Sequence, residues 1–196
     1  MVGCSYRGLP ESRALVRNPF GGNMSFRRRV YSTCGGFRDG IGHVGTRPVG
    51  CEETEFCIRV RQNQPHSLVL YEPLARIAHR VPGTRTTWRY FRARCYAEGR
   101  SKAQVAHFVG ARDGLATERD YTLPTLPLGV LRGMADAVQH RDASGLARAG
   151  AIVAGLALTT AGYLVGSASG ALEYARQWMS TNLARIRPAW VGPGRP

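Results

Sequence analysis

The sequence predicts an α/β fold whose C-terminal part is helical, and three observations indicate it. Residues 67–71 (SLVLY) form an apolar run between Pro65 and Pro73, as is typical of a strand. Residues 52–62 carry carboxylates at their start and arginines at their end, a charge order that favours a helix. Residues 149–172 contain no charged side chain over about the length that a bilayer-spanning helix needs.

Glycine-rich turns separate the N-terminal elements. Residues 21–50 contain most of these turns and predict a loop. Within this loop, residues 24–26 predict a short strand and residues 27–33 a short helix. A second extended segment is expected at residues 76–79, shortly after the strand at 67–71.

Helices dominate from Thr86 onwards. The apolar periodicity there predicts helical structure that Gly99 and Gly110 divide into two helices. Residues 111–128 contain prolines and predict a loop, and residues 129–141 predict another helix.

These patterns divide the chain into three parts. Residues 1–110 contain the predicted strands and the glycine-rich turns. Residues 111–187 form a helical region, in which 149–172 is the apolar helix. Residues 188–196 combine proline, glycine and arginine and are expected to be disordered.

The charge balance predicts an anionic partner. The formal net charge is +14, from 27 Lys and Arg against 13 Asp and Glu. Nucleic acid, the phosphates of a nucleotide sugar and an acidic membrane face would each be attracted. The arginines are spread along the chain and no RNA-recognition signature is present, so no specific nucleic-acid partner is expected. A basic RNA-binding module and a small membrane-associated protein built on residues 149–172 stay open as alternatives.

The cysteines and the N-terminus indicate a cytoplasmic chain. The sequence has five cysteines, an odd number, and they form no CxxC pair that would suggest zinc. They are expected to be reduced thiols. The N-terminal residues MVGCSYRGLPES have no long apolar core, so no secretory signal is predicted.

Two segments carry the chemistry-bearing residues. The first is the turn Gly21-Gly22-Asn23, which is either an ordinary turn or a place where the backbone approaches a sugar closely. The second is the acidic helix start Glu52-Glu53, which either complements the helix dipole or supplies a catalytic carboxylate.

The order of the motifs resembles family 2 glycosyltransferases of the GT-A fold. GGNMSFRR is followed by a short helix ending in GGF, then by a variable loop and GCEETEFCIR. The resemblance continues through LVLYEPLARIAHRVP and WRYFRARCYAEGRSKA, and it covers roughly residues 17–110. It implies an inverting transfer of a sugar from a nucleotide-sugar donor to a hydroxyl or lipid-linked acceptor, in cell-envelope glycan or glycolipid synthesis. The QxxRW signature of processive synthases is absent.

The resemblance assigns roles to individual residues. Glu53 occupies the position of the catalytic base, where the family usually has Asp. Glu52 would bind acceptor hydroxyls or hold the loop, and Gly21, Gly22 and Asn23 would line the substrates. His79 matches a histidine that helps to bind a divalent metal, Mn²⁺ or Mg²⁺; a surface histidine is the alternative.

The resemblance covers only the acceptor-side half of a GT-A domain. No Rossmann-like nucleotide-binding half with an Asp-x-Asp motif precedes Gly21, so the metal would bind only if that half were present. This chain alone is therefore expected to be truncated and inactive. Membrane association at the cytoplasmic face is expected through residues 149–172, with a true span as the alternative.

Overall fold

The computed structural model describes residues 9–42, 50–141 and 143–186, and these are mostly helical. Strands β1 (Ala14–Leu15) and β2 (Leu70–Tyr71) pair antiparallel, with Ala14 opposite Tyr71. The helices are α1 (Arg28–Cys34), α2 (Glu52–Asn63), α3 (Trp88–Val109), α4 (Ala111–Gly114), α5 (Ala116–Gln139) and α6 (Ala143–Ile186). A short 3-10 turn, Gly83–Thr86, precedes α3. The tail predicted to be disordered, 188–196, lies outside the described residues.

The two short N-terminal helices are confirmed, whereas the extended segments are shorter than predicted. Helices α1 and α2 begin within one residue of their predicted starts. Only the last two residues of the predicted strand at 67–71 pair with another strand, and residues 24–26 and 76–79 form none. A two-stranded ribbon of this length has little stability of its own. The predicted α/β class, with a partial GT-A domain, therefore stays a prediction.

The prediction that Gly99 divides a helix is wrong. Helix α3 runs through it without a break and ends before Gly110, where φ is +88°. Thr87 caps the start of α3, because its hydroxyl accepts a hydrogen bond from the backbone N–H of Tyr90 at 3.2 Å. Glycine has a low helix propensity, but tertiary packing can keep it helical. Gly99 packs directly against the backbone of α6.

Gly99 lets α3 and α6 approach each other closely. A Cβ atom on Gly99 would overlap the carbonyl oxygen of Thr159, and one on Gly162 would overlap the carbonyl oxygen of Tyr96. The pair α3 and α6 makes the most extensive contact between elements in the described chain. Small residues thus bring the two helix backbones together.

The loop predicted at 111–128 is also wrong. Helix α5 includes Pro124 and Pro127 in its interior, although each proline removes a backbone hydrogen bond. A Cβ atom on Gly133 would lie 2.7 Å from the carbonyl oxygen of Gly145 in α6. Helix α5 therefore packs closely against α6 in the part that follows both prolines.

Substitution of Gly99 tests this close approach. Gly99→Ala should lower the free energy of unfolding by at least about 1–3 kcal/mol, since the added methyl must push α6 away. The matched control is Gly150→Ala in α6, where a Cβ atom meets nothing within 4 Å. The control should gain about 0.5–1 kcal/mol from helix propensity. Denaturant unfolding followed by circular dichroism measures both; equal stabilities would contradict the close packing.

The small core surrounds α2. Ile58 of α2 packs with Val105, near the end of α3. Phe56 packs in a second cluster with Val30 and Cys34 of α1. Helix α2 is therefore held between α1 and α3, and this junction positions the candidate site.

The outer surface of α5 and α6 is apolar. Within the described residues, Ala143–Leu172 of α6 is long and apolar enough to cross a membrane. Only 17% of the most apolar 18-residue stretch of this segment is buried. The large exposed apolar side chains on the two helices are Leu123, Leu128, Leu131, Met134, Val138, Leu146, Val153, Leu156, Leu164, Val165, Leu172 and Met179. A core helix of a soluble bundle would bury more of these side chains.

Candidate active site

The candidate site is built on the first turn of α2. Cys51, the residue before this helix, adopts a left-handed conformation with φ of +76°, which is uncommon for a residue with a side chain. Such a conformation costs of the order of 1–3 kcal/mol and is held only where neighbouring contacts impose it. One such contact is the hydrogen bond from the backbone N–H of Gly50 to the hydroxyl of Ser101, at 3.3 Å.

Glu53 lies beside the glycine turn. A Cβ atom on Gly21 would be 3.4 Å from Oε2 of Glu53. The carboxylate therefore stands against a backbone that carries no side chain, and Gly21 itself is exposed. A substrate hydroxyl could reach both groups at once, which is the arrangement that a general base requires.

Burial raises the pKa of Glu53 above its usual value. The backbone N–H of its own residue acts in the opposite direction, and the nearby carboxylates of Glu52 and Glu98 raise the pKa further. Lys102 lowers it. A carboxylate with a raised pKa is a stronger base when ionised, so this environment favours proton abstraction.

Glu52 turns towards the end of the loop that precedes α2. Its Oε2 is buried and has no hydrogen-bond partner among the described residues. A Cβ atom on Gly42 would lie 3.0 Å from the Glu52 Cδ, and Gly42 has φ of +100°, so glycine is needed there on both counts. Leaving a buried oxygen unsatisfied costs about 1–3 kcal/mol.

Asn23 holds the turn in place. Its backbone N–H donates to the carbonyl oxygen of Phe20 at 3.0 Å, and its Nδ2 donates to the carbonyl oxygen of Ala75 at 2.6 Å. Gly22 lies next to the side chain of Ile77. The side chain of Asn23 therefore joins the turn to the segment that follows β2, a role that its motif position did not reveal.

His79 is exposed, two residues beyond Ile77. In the ranges that the structure describes, no three His, Cys, Asp or Glu side chains group closely enough to hold a metal ion. The described residues thus do not form a complete metal site by themselves. The role of His79 as one metal ligand stays a prediction.

Glu55 and Arg59 have a structural role, as the i, i+4 spacing predicts. Arg59 Nε donates to Glu55 Oε1 at 2.8 Å, and Arg38 Nε donates to the same oxygen at 2.7 Å. Arg59 also donates to the carbonyl oxygens of Cys34 and Gly36. This cluster fastens the Gly-Gly-Phe turn to α2, and no local pattern predicted that Arg38 belongs to it.

Glu98 is the residue near the site that sequence reasoning missed. Its Oε1 accepts a hydrogen bond from Cys51 Sγ at 3.4 Å. Arg94 and Lys102 form ion pairs with it, at 3.0 and 3.6 Å. Three alternating charges at i, i+4 spacing are visible in the sequence, but such stripes are common on solvated helix faces.

The described cysteines carry no disulfide, in agreement with the prediction of reduced thiols. Cys34, Cys51, Cys57 and Cys95 are free. Burial raises the pKa of the Cys57 thiol to about 11, so this group is protonated at neutral pH. The Cys57 thiol therefore acts as a packing group in the core beside Phe56 and Val60.

Similarity to a known protein supports a glycosyltransferase role. A glucosyl-dolichyl phosphate glucuronosyltransferase of Haloferax volcanii is 35% identical to this chain over 102 residues. The matched segment is 52% of this chain and 32% of the relative, so the chain spans about a third of that protein's length. No protein-family model and no solved structure gives a significant match.

Proposed function

We propose that this chain is the acceptor side of an inverting, family 2-like glycosyltransferase with a partial GT-A domain. The observation that carries this proposal is the Glu53 carboxylate beside the exposed Gly21 turn. The partial similarity to a glucuronosyltransferase agrees with it. The donor would be a nucleotide sugar, and the acceptor a hydroxyl of a cell-envelope glycan or a lipid-linked sugar.

The proposed reaction gives the carboxylates of Glu53 and Glu52 different roles. As the acceptor oxygen forms its bond to the anomeric carbon, its proton passes to Glu53. The bond from that carbon to the diphosphate breaks, and its electron pair leaves with the nucleoside diphosphate. Attack from the side opposite the leaving group inverts the anomeric configuration. Glu52 would accept a hydrogen bond from an acceptor hydroxyl, through the oxygen that has no partner among the described residues.

The proposed metal ion needs ligands beyond those that the described residues supply. A bound Mn²⁺ or Mg²⁺ would neutralise the charge that develops on the leaving diphosphate. His79 would contribute one ligand, and the Asp-x-Asp motif of a nucleotide-binding half would contribute the others. No step that we assign to Glu53 or Glu52 depends on this ion.

A transfer assay tests the proposed function. The chain would be joined to the nucleotide-binding half of a family 2 glycosyltransferase and incubated with radiolabelled nucleotide sugars and a polyprenyl-phosphate-linked sugar. Transfer with inversion, established by NMR of the product's anomeric proton, is the expected result. Absence of transfer with every donor, in a fusion that binds nucleotide sugar, would contradict it.

The apolar surface of α5 and α6 favours a location at the cytoplasmic membrane face. The relative acts on a dolichyl phosphate, as its name states, and a lipid-linked acceptor would be presented at a membrane. Helix α6 exposes Leu146, Val153 and Leu164 along one side, at spacings that return to the same face of a helix. We propose that this side contacts lipid.

Charged substitutions on that side test the location. Val153→Lys with Leu164→Lys should move the chain from the membrane fraction to the soluble fraction. A lysine at the centre of a membrane helix costs about 2.5–3.5 kcal/mol, while both positions are exposed and need not disturb the fold. The double alanine variant at the same positions is the matched control and should stay with membranes. Retention of the lysine variant in carbonate-washed membranes would contradict lipid contact here.

A further inference from the structure

One stretch of α3 joins the candidate catalytic turn to the long C-terminal helix. Gly99, on one side of this stretch, packs against Thr159 of α6. Ser101 is fully buried and accepts a hydrogen bond from the backbone N–H of Gly50. The start of α2 and the middle of α6 are therefore held by neighbouring residues of a single helix.

Glu98 contacts Cys51, which lies two residues before the candidate base Glu53. The thiol of Cys51, two residues before Glu53, donates to Glu98 Oε1 at 3.4 Å. Burial, with the charge of Glu98 adding to it, raises the pKa of the Cys51 thiol, so the thiol stays protonated and can donate. The side chain of Glu98 is only 22% exposed, and Arg94 and Lys102 hold it from either side.

We propose that Glu98 is a positioning residue: it holds the start of α2, and with it the Glu53 carboxylate, against α3. The inference rests on the proposed role of Glu53. Glu98 fixes the left-handed conformation of Cys51 by accepting its thiol hydrogen, and this conformation turns the chain into α2. Glu98 does not touch the substrate in this proposal.

The charged side chains of Glu98 and Lys102, both on α3, shift the pKa of Glu53. The charged groups that shift the pKa of Glu53 are the carboxylates of Glu52 and Glu98 and the ammonium of Lys102. The titratable thiols of Cys51 and Cys57 also interact with Glu53, and burial raises the pKa of both, so they stay neutral. Loss of the negative charge of Glu98 should lower the pKa of Glu53. Loss of the positive charge of Lys102 should raise it. If Glu98 and Lys102 served only to fold the chain, their substitution would not shift the pKa of Glu53 in opposite directions.

An NMR titration of the full chain tests the proposal without requiring activity. Glutamate labelled with ¹³C at the carboxyl carbon would be incorporated, and the Glu53 signal assigned through Glu53→Gln. In Glu98→Gln the pKa of Glu53 should fall by at least about 0.3 pH units, and in Lys102→Met it should rise by at least as much. This is the effect of one charge at about 10 Å in a water-like dielectric. Glu72→Gln, at the exposed pair with Arg13, is the control and should leave Glu53 unchanged.

Two outcomes would overturn the proposal. One is a Glu53 titration that is the same in Glu98→Gln, Lys102→Met and the unsubstituted chain. The other is a shift in the same direction in both variants, which would indicate a general loss of structure. If Glu98→Gln does not fold, the direction of the shift in Lys102→Met decides. Failure of sugar transfer would contradict the proposed function but would not alter this titration, so the two failures are distinguishable.

Discussion

Glu53→Gln is expected to lower the turnover of sugar transfer by at least about a hundredfold, the usual effect of losing a general base. The amide keeps the size of the side chain but cannot take the proton of the acceptor hydroxyl. Donor binding should change little, because the proposed role of Glu53 is to take the proton of the acceptor hydroxyl. The measurement is the turnover of the chain joined to a nucleotide-binding half, with donor affinity measured separately by calorimetry.

The matched variant for this prediction is Glu53→Asp. It restores the residue that is usual at this position in the family that the sequence resembles, and it should retain much more activity than Glu53→Gln. Near-normal turnover in the glutamine variant would show that Glu53 is not the base. The Glu72→Gln variant, which removes an exposed carboxylate paired with Arg13, controls for general charge effects.

The raised pKa of Glu53 fixes the sign of two pH effects. Turnover should rise with pH through a pKa above the ordinary glutamate value, because only the ionised form accepts a proton. The folded state then binds this proton more tightly than the unfolded state does. By linkage, the contribution of Glu53 to the free energy of unfolding falls as pH rises through the same range.

Sequence patterns predicted a helix correctly where the residues that stabilise it lie within the helix itself. Helix α2 was predicted from the acidic residues at its start, and it begins at Glu52. Helix α3 was divided wrongly, because the reason for a helical Gly99 lies at Thr159, far along the chain. Helix α5 likewise runs through Pro124, where the prolines of the sequence predicted a loop. Contacts of this kind leave no local trace in a single sequence.

The candidate site shows the same division. The proximity of Glu53 to Gly21 followed from the order of motifs in a family resemblance, and the structure places the two together. The role of Glu98 could not be predicted from its spacing, since i, i+4 charge stripes occur on many exposed helices. Its importance depends on Cys51, which approaches it only in the folded chain.

Removal of the carboxylate of Glu55 is expected to have the largest effect on stability. This side chain is fully buried, and its oxygens accept hydrogen bonds from Arg59 at 2.8 and 3.0 Å and from Arg38 at 2.7 Å. The side chain of Arg59 is itself only 12% exposed, so loss of its partner leaves a charge that water cannot fully reach. Breaking a buried ion pair from one side costs about 3–5 kcal/mol. Glu55→Ala should therefore lower the free energy of unfolding by about 3 kcal/mol or more.

The partner variant separates the buried pair from the exposed one. Arg38→Gln removes an arginine whose side chain is 43% exposed, and it leaves the pair of Glu55 with Arg59 intact. Its cost should be at most about 1 kcal/mol, as for most exposed ion pairs. Denaturant unfolding of both variants gives the comparison. Because Arg59 also donates to Cys34 and Gly36, Glu55→Ala should loosen the Gly-Gly-Phe turn, which faster amide hydrogen exchange at residues 34–37 would report. An equal loss of stability in the two variants would contradict the assignment of the cluster's stability to the buried pair.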